Sequence, residues 1–190
     1  MLRMAPGDTV KVAKGTYAEG LVTQVPGYLR GSYPESFVES ERHLYLHTTR
    51  LQAVSSSIIY DNQGVSINGF QFEDPSSIAD DLLDLRKPAT VTRNIFRNSK
   101  KTFAHGIEAS ASVVVVNNTF YNCYYALYLN SSAVGSSVKN NVFSTNNYAW
   151  YNLAADGLTS YNILYNSPRA GSYTAPGIGE TSLEPKFLNA

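Results

Sequence analysis

A basic stretch near the middle of the chain is the first candidate for chemistry. Cationic side chains and an imidazole hold anionic ligands, neutralise developing charge and supply a general base. The alternative is that this basic stretch is the solvated edge of a turn and binds nothing. This alternative is favoured, because the sequence does not show how these side chains would be arranged around a ligand. We predict as catalytic candidates Lys100, Arg97 and His105, and as ligand-binding cations Arg93 and Lys101.

Acidic residues precede this basic stretch. Asp80, Asp81 and Asp84 lie in the segment 75–88, and Glu108 follows on a strand-like segment. Carboxylate oxygens are preferred calcium ligands, so the three aspartates are the predicted metal candidates, and calcium is the only cofactor considered. The alternative is an exposed loop or short helix with solubilising charge, which the absence of calcium-loop spacing favours.

Aromatic residues form a third group of candidates. Sugar rings pack on aromatic faces, while tyrosine hydroxyls form hydrogen bonds. A column of Glu108, Tyr128 and Tyr151 is therefore predicted to bind a glycan strand. The alternative, which is favoured, is that about half of the rings are core or turn-packing residues. The aromatic residues recurring in this region are Tyr121, Tyr124, Tyr125, Tyr128, Tyr148, Trp150 and Tyr151.

The single cysteine and two further histidines favour structural roles. Cys123 is predicted to be a buried thiol, since no histidine follows it in the same stretch to act as a base. His43 and His47 flank the segment Leu44–Leu46, which has a strand-like composition. A strand would separate the two histidines by about 13 Å, so no joint metal site is predicted.

An internal repeat supplies the elements that position these residues. Similar segments end on aligned apolar residues with spacings of 24, 24, 23 and 21. Such a period predicts stacked solenoid turns. Asparagine tolerates left-handed backbone at a bend, and its amide can pair with the asparagine one turn away. The repeat therefore predicts an internal apolar stack of Phe72, Phe96, Phe120, Phe143 and Leu164, and a ladder of Asn94, Asn118, Asn141 and Asn162.

A second strand per turn is predicted more loosely. The segments that contain Ile107, Leu127 and Trp150 follow the phenylalanine stack at similar offsets. If these three side chains point inward, alternation places Glu108, Tyr128 and Tyr151 outside. The register of residues 149–153 is left open, because Tyr151 and Leu153 would point inward in the other register.

Composition limits the classes of function. The chain of 190 residues has 15 Lys+Arg and 15 Asp+Glu, so its zero net charge predicts neither nucleic-acid nor membrane-surface binding. One cysteine excludes a disulfide framework and a cysteine-based zinc site. No apolar run approaches the roughly 20 residues of a membrane-spanning helix. Thirteen of the 16 asparagines lie between residues 94 and 166, as the ladder requires.

The repeats resemble the right-handed parallel β-helix of the pectate-lyase-like superfamily. The segment 6–19 (PGDTVKVAKGTYAE) is similar to the opening turn of bacterial secreted β-helix proteins, many of undefined function. The segments 31–37 (GSYPESF) and 65–72 (VSINGFQF) resemble the loop and the core strand that follow there. The resemblance covers nearly the whole chain. The predicted fold is all-β, a right-handed parallel β-helix of about seven to eight turns and about 35 Å in length.

The resemblance implies carbohydrate as the ligand. Lyases of this superfamily abstract a proton beside a uronate carboxylate with Lys or Arg, usually with calcium held by carboxylates. No motif of a particular lyase or hydrolase family is present, so catalysis is not the favoured prediction. The first prediction is a module that binds polysaccharide or presents a surface. The alternatives are a polysaccharide lyase that cleaves an acidic glycan by β-elimination, and a structural spacer or adhesin segment of a larger surface protein.

One domain is predicted over residues 1–190, with irregular turns at 1–64, regular repeats at 65–166 and a tail at 167–190. In the proteins that it resembles, a capping helix precedes the opening turn and a segment like 182–187 leads into more sequence. We therefore expect an excerpt of a longer β-helix, or a naturally short one. An uncapped end offers unpaired backbone groups, which predicts end-to-end self-association. The resemblance suggests an extracellular or cell-surface location, although the chain shows no signal peptide.

Overall fold

A computed structural model of the chain describes residues 5–151, 158–170 and 177–184. Short strands recur three per turn through these residues. In chain order the strands are β1 (Thr9–Ala13), β2 (Gly15–Ala18), β3 (Leu21–Thr23), β4 (Gly27–Tyr33), β5 (Thr49–Gln52), β6 (Ser57–Asp61), β7 (Val65–Asn68), β8 (Phe70–Glu73), β9 (Asp81–Leu85), β10 (Ala89–Thr92), β11 (Ile95–Arg97), β12 (His105–Ala109), β13 (Val113–Val116), β14 (Thr119–Tyr121), β15 (Tyr125–Leu129), β16 (Ser137–Lys139), β17 (Val142–Ser144), β18 (Tyr148–Tyr151), β19 (Leu158–Ser160), β20 (Ile163–Tyr165) and β21 (Arg169–Ala170).

Three parallel sheets stack these strands into an all-β solenoid, which confirms the predicted fold class. Sheet 1 contains β1, β4, β7, β10, β13, β16 and β19; sheet 2 contains β2, β5, β8, β11, β14, β17 and β20; sheet 3 contains β3, β6, β9, β12, β15, β18 and β21. Seven strands per sheet make about six full turns, against the predicted seven to eight. One reason is the connection at residues 34–48, which lengthens the chain without adding a strand to any sheet.

The predicted phenylalanine stack fills the core behind sheet 2. Phe96 pairs in register with Phe72 and Phe120, and the alignment continues to Phe143 and Leu164. Successive phenylalanine rings lie 4.7–5.0 Å apart and within 11° of parallel. All four rings are fully buried. The strand spacing of a parallel sheet is close to the ring spacing of a stack, so one repeated residue type fills each successive turn.

The predicted asparagine ladder is also buried. Asn94 donates from its backbone N–H and from Nδ2 to Oδ1 of Asn118, at 2.9 and 3.1 Å. Asn118 makes the same pair of contacts to Asn141, and Asn141 makes them to Asn162. Nδ2 of Asn162 donates to Glu180. The ladder therefore satisfies backbone donors at the bend between sheets 1 and 2, where the sheet hydrogen bonds stop.

The left-handed backbone at this bend falls on the residue before each ladder asparagine. Positive φ values occur at Arg93 (56°), Asn117 (59°), Asn140 (53°) and Tyr161 (54°). The explanation of the ladder asparagines by tolerance of left-handed backbone is therefore wrong for the ladder positions. Their role is hydrogen bonding, and the preceding residue supplies the turn.

Two segments differ from the sequence-based expectation. The predicted excursion at 75–88 contains β9, whose five residues are all buried, because Leu83 and Leu85 pair with Ile107 and Ala109. The aspartates that flank the leucines break the alternating pattern by which a sequence predicts a strand. The segment Leu44–Leu46 is a turn, in which the His47 N–H donates to the carbonyl of His43. Two of its apolar side chains point to solvent and give the strand no core to pack against.

In the part of the chain that the structure describes, the only helix is the 3-10 segment Glu39–Glu41, and no helix is long or apolar enough to cross a lipid bilayer. Residues 1–4, Leu153, and residues 185–187 at the end of the segment 182–187 lie outside the described residues.

Candidate functional site

The outer side of sheet 3 brings most of the predicted site residues onto one surface, here called the sheet 3 face. It has two columns that run along the solenoid axis, set by the strand register. The first column is Asp81, His105, Tyr125 and Tyr148, and the second is Asp84, Glu108, Tyr128 and Tyr151. Ile107, Leu127 and Trp150 are all fully buried, and alternation therefore places the second column outside. The register that the sequence left open at Tyr151 is thus the outward one.

One glycine allows the turns to stack closely beneath this surface. A Cβ at Gly106 would lie 2.7 Å from the carbonyl oxygen of Ala126 and 3.3 Å from the ring of Phe120. Any larger residue would push β12 away from β15. His105 and Ile107 therefore flank a position that only glycine fits, and this holds His105 close to the tyrosines of the next turn.

An imidazole and two carboxylates meet at the polar end of the sheet 3 face. His105 Nδ1 lies 2.6 Å from Asp81 Oδ1 and 3.9 Å from Glu108 Oε2. Ligand atoms of these three side chains all lie within 4.8 Å of one another. Their side chains are 9%, 14% and 18% exposed for Asp81, His105 and Glu108, so the group is partly shielded from solvent and still reachable.

Burial and like charge act on the carboxylates of this group. Burial raises the pKa of Asp81, and the hydrogen bond with His105 opposes that rise. Burial also raises the pKa of Asp84, and its hydrogen bond with Arg86 opposes the rise. Glu108 adds repulsion in both cases. The ionised carboxylates at the polar end are therefore destabilised by burial and mutual repulsion. A bound cation or a hydrogen-bond donor would stabilise them.

Neighbouring side chains fix the orientation of the polar group. Asn130 donates from Nδ2 to Glu108 Oε1 at 3.0 Å. Arg86 forms an ion pair with Asp84, at 2.5 Å from Nε to Oδ1 and 2.7 Å from Nη2 to Oδ2. The ring of His105 packs against Tyr128, with the centroids 4.5 Å apart. These contacts reduce the conformational freedom of Glu108, Asp84 and His105 before any ligand arrives.

Tyrosine rings stack along the aromatic end of the sheet 3 face. Tyr128 and Tyr151 have centroids 5.4 Å apart and nearly parallel planes, and Tyr125 stacks on Tyr148 at 5.0 Å. Tyr125 is buried, and the other three are partly exposed. Stacked rings cover each other's faces and present edges and hydroxyls outward. A ligand on this surface therefore meets hydroxyl groups first, and ring faces are less available than the sequence prediction assumed.

The predicted basic residues do not converge on the sheet 3 face. Arg97 lies on sheet 2, where Nη2 is 2.8 Å from Glu73 Oε1. Lys101 pairs with Asp80 at 2.6 Å, and both side chains are exposed. Lys100 is exposed and makes no ion pair with any described residue. Arg93 is exposed at the bend between sheets 1 and 2. Among the predicted catalytic candidates, only His105 contacts the acidic residues of sheet 3.

The three predicted calcium ligands, Asp80, Asp81 and Asp84, do not form one group. Asp81 joins His105 and Glu108, while Asp84 is paired with Arg86 and Asp80 with Lys101. Among the described residues, Asp81, His105 and Glu108 form the only group of at least three potential metal ligands. The sequence carries a signal for this group in its spacing. Asp81 and His105 are 24 residues apart, as are Asp84 and Glu108, which is the spacing of the phenylalanine stack.

Cys123 is buried at the bend between sheets 2 and 3, as predicted. Its backbone N–H donates to Asn146 Oδ1, and Asn146 in turn donates to Ser167 Oγ, so a second polar ladder runs along this bend. Burial raises the pKa of the Cys123 thiol to about 12. A thiol of this pKa is almost entirely protonated at neutral pH, which argues against a nucleophilic role.

We expect Cys123 in the folded protein to react with Ellman's reagent at pH 8 at least about 1000-fold more slowly than in denaturant. The thiolate fraction falls from about one quarter at the usual pKa to about one in ten thousand, and burial adds to the effect. The matched control is a cysteine at exposed Ser131 (Ser131→Cys in a Cys123→Ser background), which should react at the rate of the unfolded chain. Equal rates for the two folded proteins would contradict the buried assignment.

The fold and the sheet 3 face define this chain as a parallel β-solenoid with a polar and aromatic outer surface. No protein-family model matches the chain, and no curated protein sequence matches it significantly.

Proposed function

We propose that the sheet 3 face binds a polysaccharide strand that lies along the solenoid axis. The observation that carries the proposal is the row of tyrosine hydroxyls on adjacent turns, beside the carboxylate of Glu108. Within residues 5–151, 158–170 and 177–184, the hydroxyls of Tyr125, Tyr128, Tyr148 and Tyr151 have no hydrogen-bond partner. Such groups offer donors and acceptors to sugar hydroxyls without first breaking protein contacts.

Charge favours a neutral glycan as the ligand. The polar end has three carboxylates, on Asp81, Asp84 and Glu108, and among the described residues only Arg86 and His105 form ion pairs with them. An acidic glycan would meet like charge here, whereas neutral sugar hydroxyls would donate to the carboxylates. The repeating turn matches a repeating ligand, since each turn presents equivalent positions at one strand spacing.

The resemblance of the repeats to the pectate-lyase-like superfamily supports a carbohydrate ligand by analogy of fold. The chain is proposed to bind and not to cleave. A β-eliminating lyase of the predicted kind would need Arg97 or Lys100 in one groove with the acidic residues. Arg97 is instead paired with Glu73 on another sheet. The surface location suggested by the same resemblance is compatible with this role and remains part of the proposal.

Affinity electrophoresis on a panel of neutral and acidic polysaccharides, with and without calcium, tests the proposal. We expect retardation by at least one neutral polysaccharide. Tyr128→Ala combined with Tyr151→Ala should abolish it. The double phenylalanine variant keeps the ring stack but loses both hydroxyls, and should weaken binding about fivefold or more, from about 0.5–1.5 kcal/mol for each hydrogen bond.

The matched control replaces two exposed tyrosines outside the sheet 3 face, Tyr121 and Tyr161, by alanine. This variant should be retarded like the wild type. Unchanged retardation of the Tyr128/Tyr151 double alanine variant would refute the site. Retardation by no polysaccharide would favour the structural-spacer alternative. Unsaturated products from an acidic glycan would favour the lyase.

A further inference from the structure

We infer that Asp81, His105 and Glu108 bind a divalent first-row transition metal ion on the sheet 3 face. The site uses one residue from β9 and two from β12, brought together by the parallel pairing of those strands. The site shares Asp81 and Glu108 with the proposed glycan surface but uses none of its tyrosines, so metal binding can be measured without a glycan.

The geometry is close to what such an ion requires. Tetrahedral coordination with bonds of about 2.1 Å separates ligand atoms by about 3.4 Å. Asp81 Oδ1 lies 2.6 Å from His105 Nδ1 and would move apart, while Glu108 Oε2 lies 3.9 Å from Nδ1 and would move closer. Each of these two changes is less than about 1 Å. The third pair of ligand atoms, on Asp81 and Glu108, lies within 4.8 Å.

The donor set selects the class of ion. Calcium takes six to eight oxygen ligands, and this group offers one imidazole nitrogen and two carboxylates. Imidazole combined with carboxylate suits zinc and its first-row neighbours. The other predicted calcium ligands are held by cations, Asp80 by Lys101 and Asp84 by Arg86. The residues present therefore do not fit calcium, although the superfamily resemblance implies it.

The surroundings of the group support a preformed site. Asn130 holds one oxygen of Glu108, and the other, Oε2, accepts no hydrogen bond from the described residues. The His105 ring is held against Tyr128. Three protein ligands leave a fourth position for water or an anionic ligand on the exposed side, as in zinc sites that bind a further ligand.

Calorimetric titration of the full chain with zinc chloride, and separately with calcium chloride, tests the inference. We expect one zinc per chain and no comparable calcium binding. Asp81→Asn, His105→Gln and Glu108→Gln should each weaken zinc binding more than about 100-fold, since loss of an outer-shell partner alone costs 10–100-fold. The controls are Asp80→Asn, next to the site but paired with Lys101, and His43→Gln, in the exposed turn. Both should bind like the wild type.

A measurement on the wild type keeps the test decisive if a variant does not fold. The chain has three histidines, so long-range ¹H–¹⁵N spectra with and without zinc can be assigned from His43→Gln and His47→Gln. Zinc should shift the ring nitrogens of His105. No zinc binding, shifts confined to His43 or His47, or calcium binding that Asp80→Asn abolishes would each overturn the inference.

Discussion

Replacing Phe120 by alanine is expected to destabilise the protein by about 4 kcal/mol or more. A buried phenylalanine costs about 3–5 kcal/mol to truncate, through lost transfer free energy and the cavity that remains. Phe120 lies between Phe96 and Phe143, so the change also removes two ring stacks worth about 0.5–1.5 kcal/mol each. The neighbouring turns are held by parallel strands, which limits how far they can collapse into the cavity.

Urea unfolding followed by circular dichroism measures this change. Tyr121→Ala is the matched control: it removes the next aromatic side chain of the same strand, which points to solvent and is 45% exposed. We expect that control to lie within about 0.5 kcal/mol of the wild type. A loss below about 1 kcal/mol for Phe120→Ala would show that this stack does not hold the turns together.

Replacing Asn118 by alanine is expected to cost about 3 kcal/mol or more. Its Oδ1 accepts from the buried backbone N–H of Asn94, and its Nδ2 donates to the carbonyl of Val91 and to Asn141. Alanine leaves that N–H and that carbonyl without these partners, and a buried unsatisfied group costs about 1–3 kcal/mol. The cavity left by the amide adds to this cost.

The same urea experiment tests this change, with Asn147→Ala as the control. Asn147 is an exposed asparagine in the next turn, and its side chain has no hydrogen bond to a described residue. Its replacement should change the free energy of unfolding by less than about 0.5 kcal/mol. Similar losses for both variants would mean that asparagine content, and not the ladder, carries the effect.

The phenylalanine stack and the asparagine ladder also determine whether the sheet 3 face can form. Strand register in each turn is set by the side chains that must lie inward, and a slip by one residue would turn every side chain over. The phenylalanine stack and the asparagine ladder define where each turn begins. Their loss is therefore expected to lower the stability of the fold and also to separate Asp81, His105 and Glu108 on sheet 3.

Much of the fold could be predicted from the sequence because solenoid order is local and repeated. The spacing of Phe72, Phe96, Phe120 and Phe143 alone identified the strand alignment that the structure has. The burial of Ile107 and Leu127 agrees with the alternation in the sequence, whereas the register at Trp150 was open until the structure placed that ring inside. Strand β9 was missed because its two aspartates resemble the charges of a loop, and their partners, His105 and Arg86, are not evident from composition.

The sequence by itself therefore determined the period, the phenylalanine stack and asparagine ladder, and the outward position of Glu108 and Tyr128. These properties depend on residue type at a fixed spacing, which a linear chain records directly. The outward position of Tyr151 was decided by the structure, in which Trp150 is fully buried. Only the tertiary structure decided which charges meet. Contacts between turns depend on strand register and side-chain direction. Arg97 therefore pairs with Glu73 on sheet 2, while Asp81 lies beside His105 on sheet 3. That pairing between neighbouring turns gave the candidate metal site, which no single segment of the chain contains.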